Sequence, residues 1–182
     1  KFSIIIPVKS INDFVRETVP HIQALKSHSW ELFIIPNSQE QNEWQNDKRI
    51  KIIDSGKVGP ASKRDLGARK ASGSILVFLD DDSYPESNIL EIASKYFKDP
   101  NIIALGGPGI TPITDDFWQK VSSAVFLSNF TGGSPERYLP IGKAREIDDW
   151  PSVNLMVRKD IFLSVGGFDC QYWPGEDTKL CL

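Results

Sequence analysis

Asp80, Asp81 and Asp82 follow directly on Ile75–Leu79, a short apolar run. Such a run reads as a strand buried on both faces. Unpaired carboxylates are costly to bury, so the triplet marks where the chain leaves the core. In open α/β sheets the crevice beyond the carboxyl ends of the strands is where ligands bind. Asp80 and Asp82 alternate along the chain and can converge on one hard cation. Mg²⁺ or Mn²⁺ takes one or two carboxylates and completes its shell with water and phosphate oxygens. The competing reading is a solvated acidic turn in which Asp82 or Ser83 caps the next helix. A second acidic pair, Glu176–Asp177, follows Gly175. Its simplest reading is an acidic helix start, favourable to the helix dipole.

The elements that must position these residues alternate. Phe2–Val8 and Glu31–Ile35 are apolar strands, and Arg49–Ile53 is a third. Between the first two, Asn12–Lys26 carries Val15, Val19, Ile22 and Leu25 at helical spacing, with Pro20 as a kink or boundary. Gly59–Pro60 opens a helix over Ala61–Ala71, which Gly73 ends. Pro85–Glu86 opens another after the aspartates, and Ile102–Leu105 is a fifth strand. This alternation predicts an α/β fold: a mostly parallel, Rossmann-like central sheet with helices on both faces. After residue 105 the style changes. An amphipathic helix over Asp115–Leu127 carries Phe117, Trp118, Val121 and Val125. A loop over Thr131–Pro135, a strand over Ser152–Val157 and a short helix over Asp160–Val165 follow. The chain is expected to be one domain, with residues 1–105 forming one part and 106–182 a smaller, incomplete one. Thr178–Leu182 begins a helix, so a fragment of a longer chain is expected, with Gly175–Leu182 poorly fixed and Leu180 uncovered.

Composition narrows the classes. The 182 residues carry a net charge of −3, so there is no basic field of the kind that holds nucleic acid. No apolar run approaches the ~20 residues of a membrane-spanning helix. Cys170 and Cys181 lack metal-site spacing, and free thiols in a reducing, cytoplasmic setting are expected. His21 and His28 are the only histidines, which leaves little material for a His-based triad.

Motifs along nearly the whole chain resemble the family 2 glycosyltransferases. Phe2–Val8 looks like that family's opening strand, and Gly59-Pro60-Ala61-Ser62-Lys63-Arg64-Asp65-Leu66-Gly67 like its glycine-led helix start. Leu79-Asp80-Asp81-Asp82 looks like its DxD strand end. Val165-Gly166-Gly167-Phe168-Asp169 with Gly175-Glu176-Asp177 looks like its GGFDE and ED motifs. The segment Gly106–Phe126 most resembles the subgroup that builds exopolysaccharides and surface glycans.

The resemblance implies an A-type nucleotide-sugar transferase fold with an acceptor-side portion. It implies a nucleotide-diphosphate sugar donor, a glycan or lipid-linked acceptor, and Mn²⁺ or Mg²⁺. Pro7, Asn37, Lys63, Arg64, Asp80 and Asp81 would bind the donor, with Asp82 and Asp80 holding the metal. Lys63 and Arg64 would add positive charge near the phosphates, although a solvated helix face is an equally good reading. Asp177 would be the general base, with Glu176 beside it, and configuration would invert. Asp148 and Asp149 could line the acceptor cleft, and Trp150 and Trp173 could stack on a sugar or pack in the core. Membrane association would come through a C-terminal segment beyond this sequence, at the cytoplasmic face.

Two positions depart from the pattern. Asn37, after Ile35-Pro36, stands where the family usually has an aspartate that contacts the base, and Asp65 stands where it has asparagine. A degenerate donor-binding domain without turnover, a nucleotidyltransferase and a receiver-like Mg²⁺-binding module are the competing readings. The last two leave the GGFD and GED segments, or the lack of a glycine- and basic-rich loop after the first strand, unexplained.

Overall fold

A computed structural model describes residues 1–128, 137–140, 142–172 and 174–181. The expected loop over Thr131–Pro135, together with Trp173 and Leu182, lies outside the described residues.

The sheet is built on three runs too apolar to face water on either side. β1 (Phe2–Pro7), β2 (Trp30–Ile35) and β4 (Ile75–Leu79) are buried almost throughout. With β3 (Ile50–Ile52), β5 (Ala104–Gly106) and β6 (Asn154–Arg158) they form one six-stranded sheet, ordered β3-β2-β1-β4-β6-β5. β3, β2, β1 and β4 are parallel, with Phe2 opposite both Trp30 and Ile75. β6 runs antiparallel to β4, Leu79 facing Asn154, and β5 pairs antiparallel with β6. The mostly parallel α/β sheet expected from the alternation is therefore present. The fifth strand does not extend the parallel stack directly, because the later β6 is inserted between β4 and β5.

Helices cover both faces, as parallel strands require. On one face, α1 (Asp13–Gln23) and α3 (Ile89–Tyr96) press Val15, Val19, Ile22, Leu90 and Ala93 onto Ile4, Ile6, Leu32, Ile34 and Val77. On the other, α2 (Pro60–Lys70) and α5 (Lys159–Ser164) bring Ala61, Ala68 and Phe162 against Ile5, Phe33, Leu76 and Phe78.

Several local expectations are corrected. α1 runs through Pro20 instead of ending there. α3 starts at Ile89, with Asn88 as its N-cap, and not at Pro85. α2 ends at Lys70 with Ala71 as its C-cap, and Gly73 packs against β1 instead of capping the helix. A Cβ on Gly73 would come 2.6 Å from the Lys1 carbonyl oxygen, so only glycine fits. α4 (Phe117–Leu127) has its capping box at Asp116 and Gln119 but buries none of its residues. Phe117 and Trp118 are 70% and 74% exposed, so the helix does not supply the core face its spacing suggested. The described part of the final segment is helical. It forms α6 (Glu176–Cys181), with Glu176 buried and Leu180 packed on the α2 side of the core.

Glu31 lies on β2 and is almost fully buried. Its carboxylate accepts from Ser3 Oγ at 2.7 Å, Ser72 N at 2.7 Å and Lys51 Nζ at 2.8 Å. Burial alone would raise its pKa, but the hydrogen bonds from Lys51, Ser3 and Ser72 together outweigh it and hold the carboxyl well below the usual range. A depressed folded-state pKa adds stability above the unfolded pKa, and that stability is lost as pH falls through the folded value. Glu31→Gln should cost about 1–3 kcal/mol near neutral pH and should flatten the loss of stability on acidification below about pH 4.5. Urea titrations at several pH values measure both. An acid limb as steep as the wild type's would remove Glu31 as its source.

Candidate functional site

The site grows from how closely α2 lies on the sheet. Gly67 makes the approach possible: a Cβ there would sit 2.7 Å from Ile5 Cγ2 and 2.9 Å from Ile35 Cδ1. That closeness carries the charged residues Lys63, Arg64 and Asp65 inside, at 3%, 5% and 7% exposure. Buried charge must be matched, and each residue finds a different match. Lys63 Nζ donates to the Val8 carbonyl, just past β1, and to Asn37 Oδ1 at 2.6 Å, just past β2. Burial pushes its pKa down. Arg64 pairs through Nη2 with Asp80 at 2.8 Å and through Nη1 with Glu176 at 3.3 Å. Its guanidinium lies 5.7 Å from the centre of the Phe168 ring. Asp65 Oδ1 accepts from the Phe168 backbone N–H at 3.0 Å, which ties α2 to the Gly166-Gly167-Phe168 turn. Gly166 and Gly167 both have positive φ there, and a Cβ on Gly167 would meet Asp65 Oδ1 at 2.6 Å.

The aspartate triplet is sorted by its neighbours. Asp81 turns toward α1: Asn12, the N-cap, donates through Nδ2 to Asp81 Oδ2 at 2.6 Å, and Thr18 Oγ1 donates to the Asp81 carbonyl at 2.6 Å. Asp80 is half exposed beside Arg64. Asp82 is exposed as a residue, yet its carboxyl is pushed above the ordinary aspartate range, by partial burial first and then by Asp80, Asp81 and Asp115. Charges of one sign crowded at a strand end call for a cation. Among the described residues no cluster of three or more His, Cys, Asp or Glu forms a metal cage. Asp80 and Asp82 still fit the mode in which Mg²⁺ or Mn²⁺ takes one or two carboxylates and leaves the rest to water and phosphate.

The residues expected on the acceptor side lie at the same edge. Asp177 is half-buried; Oδ2 accepts from the Ser152 N–H at 3.2 Å and Oδ1 from the Thr178 N–H at 2.9 Å. Asp149 accepts from Arg137 and, at 3.2 Å, from Thr178 Oγ1, while Asp148 is exposed. Trp150 is buried in the core and is not a sugar-stacking surface. Pro7 ends β1 opposite Ile35. An open cleft of about 830 Å³ lies beside the triplet, lined by Glu17, His21, Tyr84, Ile110 and Pro112 among others, and none of the expected site residues lines it.

Sequence reasoning paired Lys63 and Arg64 with phosphate; the structure gives both protein partners as well. It missed Asn12 and Thr18, for which the only signal was a capping asparagine ahead of α1. It also missed Arg64 as the link between Asp80 and Glu176.

A mostly parallel sheet with carboxylates and a glycine-led helix at its carboxyl edge defines a nucleotide-sugar transferase fold of the A type. Residues 3–163 match the Glycosyl transferase family 2 model, and the chain belongs to that family. It is 29% identical to a pre-mycofactocin glycosyltransferase of Mycobacterium tuberculosis over 68% of this chain and 26% of that protein. It is 25% identical to the O-antigen biosynthesis protein RfbC of Myxococcus xanthus, over 100% of this chain but 16% of that protein. Among solved structures it resembles S. aureus TarS 1-349 in complex with UDP, with a TM-score of 0.71 and 16% identity over 100% of this chain and 54% of that one. It also resembles the mannosyltransferase PcManGT of Pyrobaculum calidifontis in complex with GDP-Man and Mn²⁺, with a TM-score of 0.68 and 16% identity over 98% and 50%. The chain thus spans about half the length of these solved proteins and about a quarter or less of the curated relatives.

Removing Arg64 would leave Glu176 buried without its counter-charge. Arg64→Met should therefore cost about 3–5 kcal/mol, and adding Glu176→Gln should recover part of that loss. Chemical denaturation of the single and double variants gives the coupling. Strictly additive effects would show that the pair does not hold α6.

Proposed function

We propose that this chain binds a nucleotide-diphosphate sugar across the carboxyl edge of its sheet and transfers the sugar, with inversion, to a hydroxyl of a glycan or lipid-linked acceptor. The observation that carries the reading is that Asp80 and Asp82 follow β4 at the end of the sheet where Asp177 is held by the N–H of Ser152, just before β6, with Arg64 bridging Asp80 and Glu176. A Mn²⁺ or Mg²⁺ held by Asp82 and Asp80 would neutralise charge on the leaving diphosphate. The chain's own residues supply the rest. Asp177, held by the Ser152 N–H, takes the proton of the acceptor hydroxyl as it attacks the anomeric carbon. With one carboxylate base and a diphosphate leaving group, a single displacement suffices, so configuration inverts. Glu176 faces Arg64 and positions α6, which places Asp177 beside β6. Pro7 at the end of β1, Asn37 just past β2 and Lys63 between them would form the nucleoside side, and Asp81 would hold the aspartate loop against α1.

The relatives named for pre-mycofactocin glycosylation and O-antigen biosynthesis support a role in surface-glycan or related synthesis. No described helix is long and apolar enough to cross a membrane. Action in the cytoplasm, at the membrane's inner face, is part of the same proposal.

One pair of variants separates binding from chemistry. Asp82→Ala should abolish Mn²⁺-dependent binding of UDP or GDP while leaving the fold intact, because its side chain lies outside the core. Asp177→Asn keeps the shape and the Ser152 contact but cannot take a proton. It should bind donor normally and transfer about 10²–10⁴-fold more slowly. Calorimetry with and without Mn²⁺, and a sugar-transfer assay, read the two effects. Undiminished metal-dependent binding in the first variant, or wild-type transfer in the second, would overturn the assigned roles.

A further inference from the structure

Glu17 and His21 stand one turn apart on the exposed face of α1, whose other face buries Val15, Val19 and Ile22. Tyr84, two residues past Asp82, is seated on both. Its hydroxyl donates to Glu17 Oε2 at 2.6 Å, and its ring centre lies 5.0 Å from that of His21 at a tilt of 33°. The bond to Glu17, then partial burial and the charges of Glu17, Asp82 and Asp115, push the Tyr84 pKa up to about 12, so the hydroxyl keeps its proton. The ring is thus held at two points and is still 38% exposed. It lines the cleft of about 830 Å³ beside the aspartates. Residues 110–114, between β5 and α4, line the same cleft. The chain leading into them is anchored: Asn154 Nδ2 donates to the Gly107 carbonyl at 3.1 Å, and the Gly109 N–H donates to the Arg137 carbonyl at 2.8 Å.

The lining chemistry selects a class of ligand. The carboxylates of Glu17 and Glu86 can only accept hydrogen bonds. The Tyr84 oxygen directs its proton at Glu17, so only its lone pairs remain for a ligand. The hydroxyls of Thr111 and Thr114 can donate or accept. Among the described lining residues none is Lys or Arg. A phosphate, a nucleotide or an acidic sugar would therefore meet negative charge with no cation to offset it. The matching ligand carries many donors and no negative charge. It also has apolar faces, because the His21–Tyr84 pair and Ile110, which is 60% exposed, offer apolar area. A neutral oligosaccharide has both features, with hydroxyls around each ring and C–H groups on the ring faces. The cleft's volume is in the range of small-ligand sites.

We propose that this cleft is a second carbohydrate site, which holds a neutral stretch of oligosaccharide against the His21–Tyr84 pair, apart from the residues assigned to transfer. Asp80, Asp82, Glu176 and Asp177 do not line it. The inference goes beyond the transfer reading and stands without it, since the cleft needs neither nucleotide nor metal. Tyr84 follows Asp82 closely, so a glycan held here lies beside the proposed transfer edge and is kept near it between encounters.

The test uses chitotriose, cellotriose and mannotriose as neutral probes. Deacetylated chitotriose is the cationic comparison and trigalacturonate the anionic one. Calorimetry without nucleotide measures binding, and amide chemical shifts locate it. At least one neutral trisaccharide should bind, with shifts at residues 84–87 and 110–114. Trigalacturonate should bind about tenfold more weakly or not at all. Tyr84→Ala and, separately, His21→Ala on the exposed face of α1 should each weaken the neutral ligand about tenfold, the loss expected for an aromatic contact face. His21→Ala should leave Mn²⁺-dependent binding of UDP as in the wild type. The proposal is overturned if no neutral trisaccharide binds, or if a charged comparison binds more tightly than all three. It is overturned equally if both variants bind like the wild type, or if the shifts fall at residues 80–82 and 176–177 instead. Failure of the wild type to bind UDP would bring down the donor-binding reading alone, and the trisaccharides would still decide this one.

Discussion

The structure depends on matching three adjacent charges that α2 carries beneath the sheet edge. Gly67 lets the helix approach Ile5 and Ile35 closely enough that Lys63, Arg64 and Asp65 are shut off from water. Burying such groups unpaired would cost more than a domain of this size can offset. Their partners are therefore fixed points: the chain just past β1 and β2 for Lys63, Asp80 and Glu176 for Arg64, and the Phe168 N–H for Asp65. One short helix thus ties the parallel half of the sheet to the segment that follows β6.

That arrangement explains how residues far apart in sequence reach one edge. Asp80 leaves β4, and Glu176 and Asp177 begin α6, yet a single guanidinium spans Asp80 and Glu176. α1 makes the complementary contact by drawing Asp81 away through Asn12 and Thr18. The alternate aspartates, Asp80 and Asp82, remain on the open side. On the proposed reading, this carboxylate-lined edge would take the cation and the diphosphate.

Much of this was legible in the sequence. β1, β2 and β4 are continuous apolar runs, and only a doubly covered strand tolerates them. The aspartates, the Gly59-led helix and the Gly166–Asp169 and Gly175–Asp177 segments announced the family by their order. Long-range pairing was not legible, because no local pattern records that β6 inserts between β4 and β5. The burial of Lys63, Arg64 and Asp65 was also hidden, since three successive charges look like a solvated face. The usable signal was Gly67, whose lack of a side chain permits close packing. α4 misled in the opposite direction: its apolar spacing is real, but none of its residues is buried. α6 looked too short to be fixed, and its ion pair with Arg64 and the packing of Leu180 supply what its length does not.

The central claim is that Arg64 joins the Asp80 end of β4 to the helix that carries Asp177. Amide hydrogen exchange, resolved along the chain and compared between the wild type and Arg64→Met, tests it most directly. The account predicts that wild-type α6 exchanges slowly, and that Arg64→Met opens residues 176–181 selectively while β1 and β4 keep most of their protection. Equal exchange in α6 of the two proteins, or loss of protection spread evenly over the whole sheet, would contradict it.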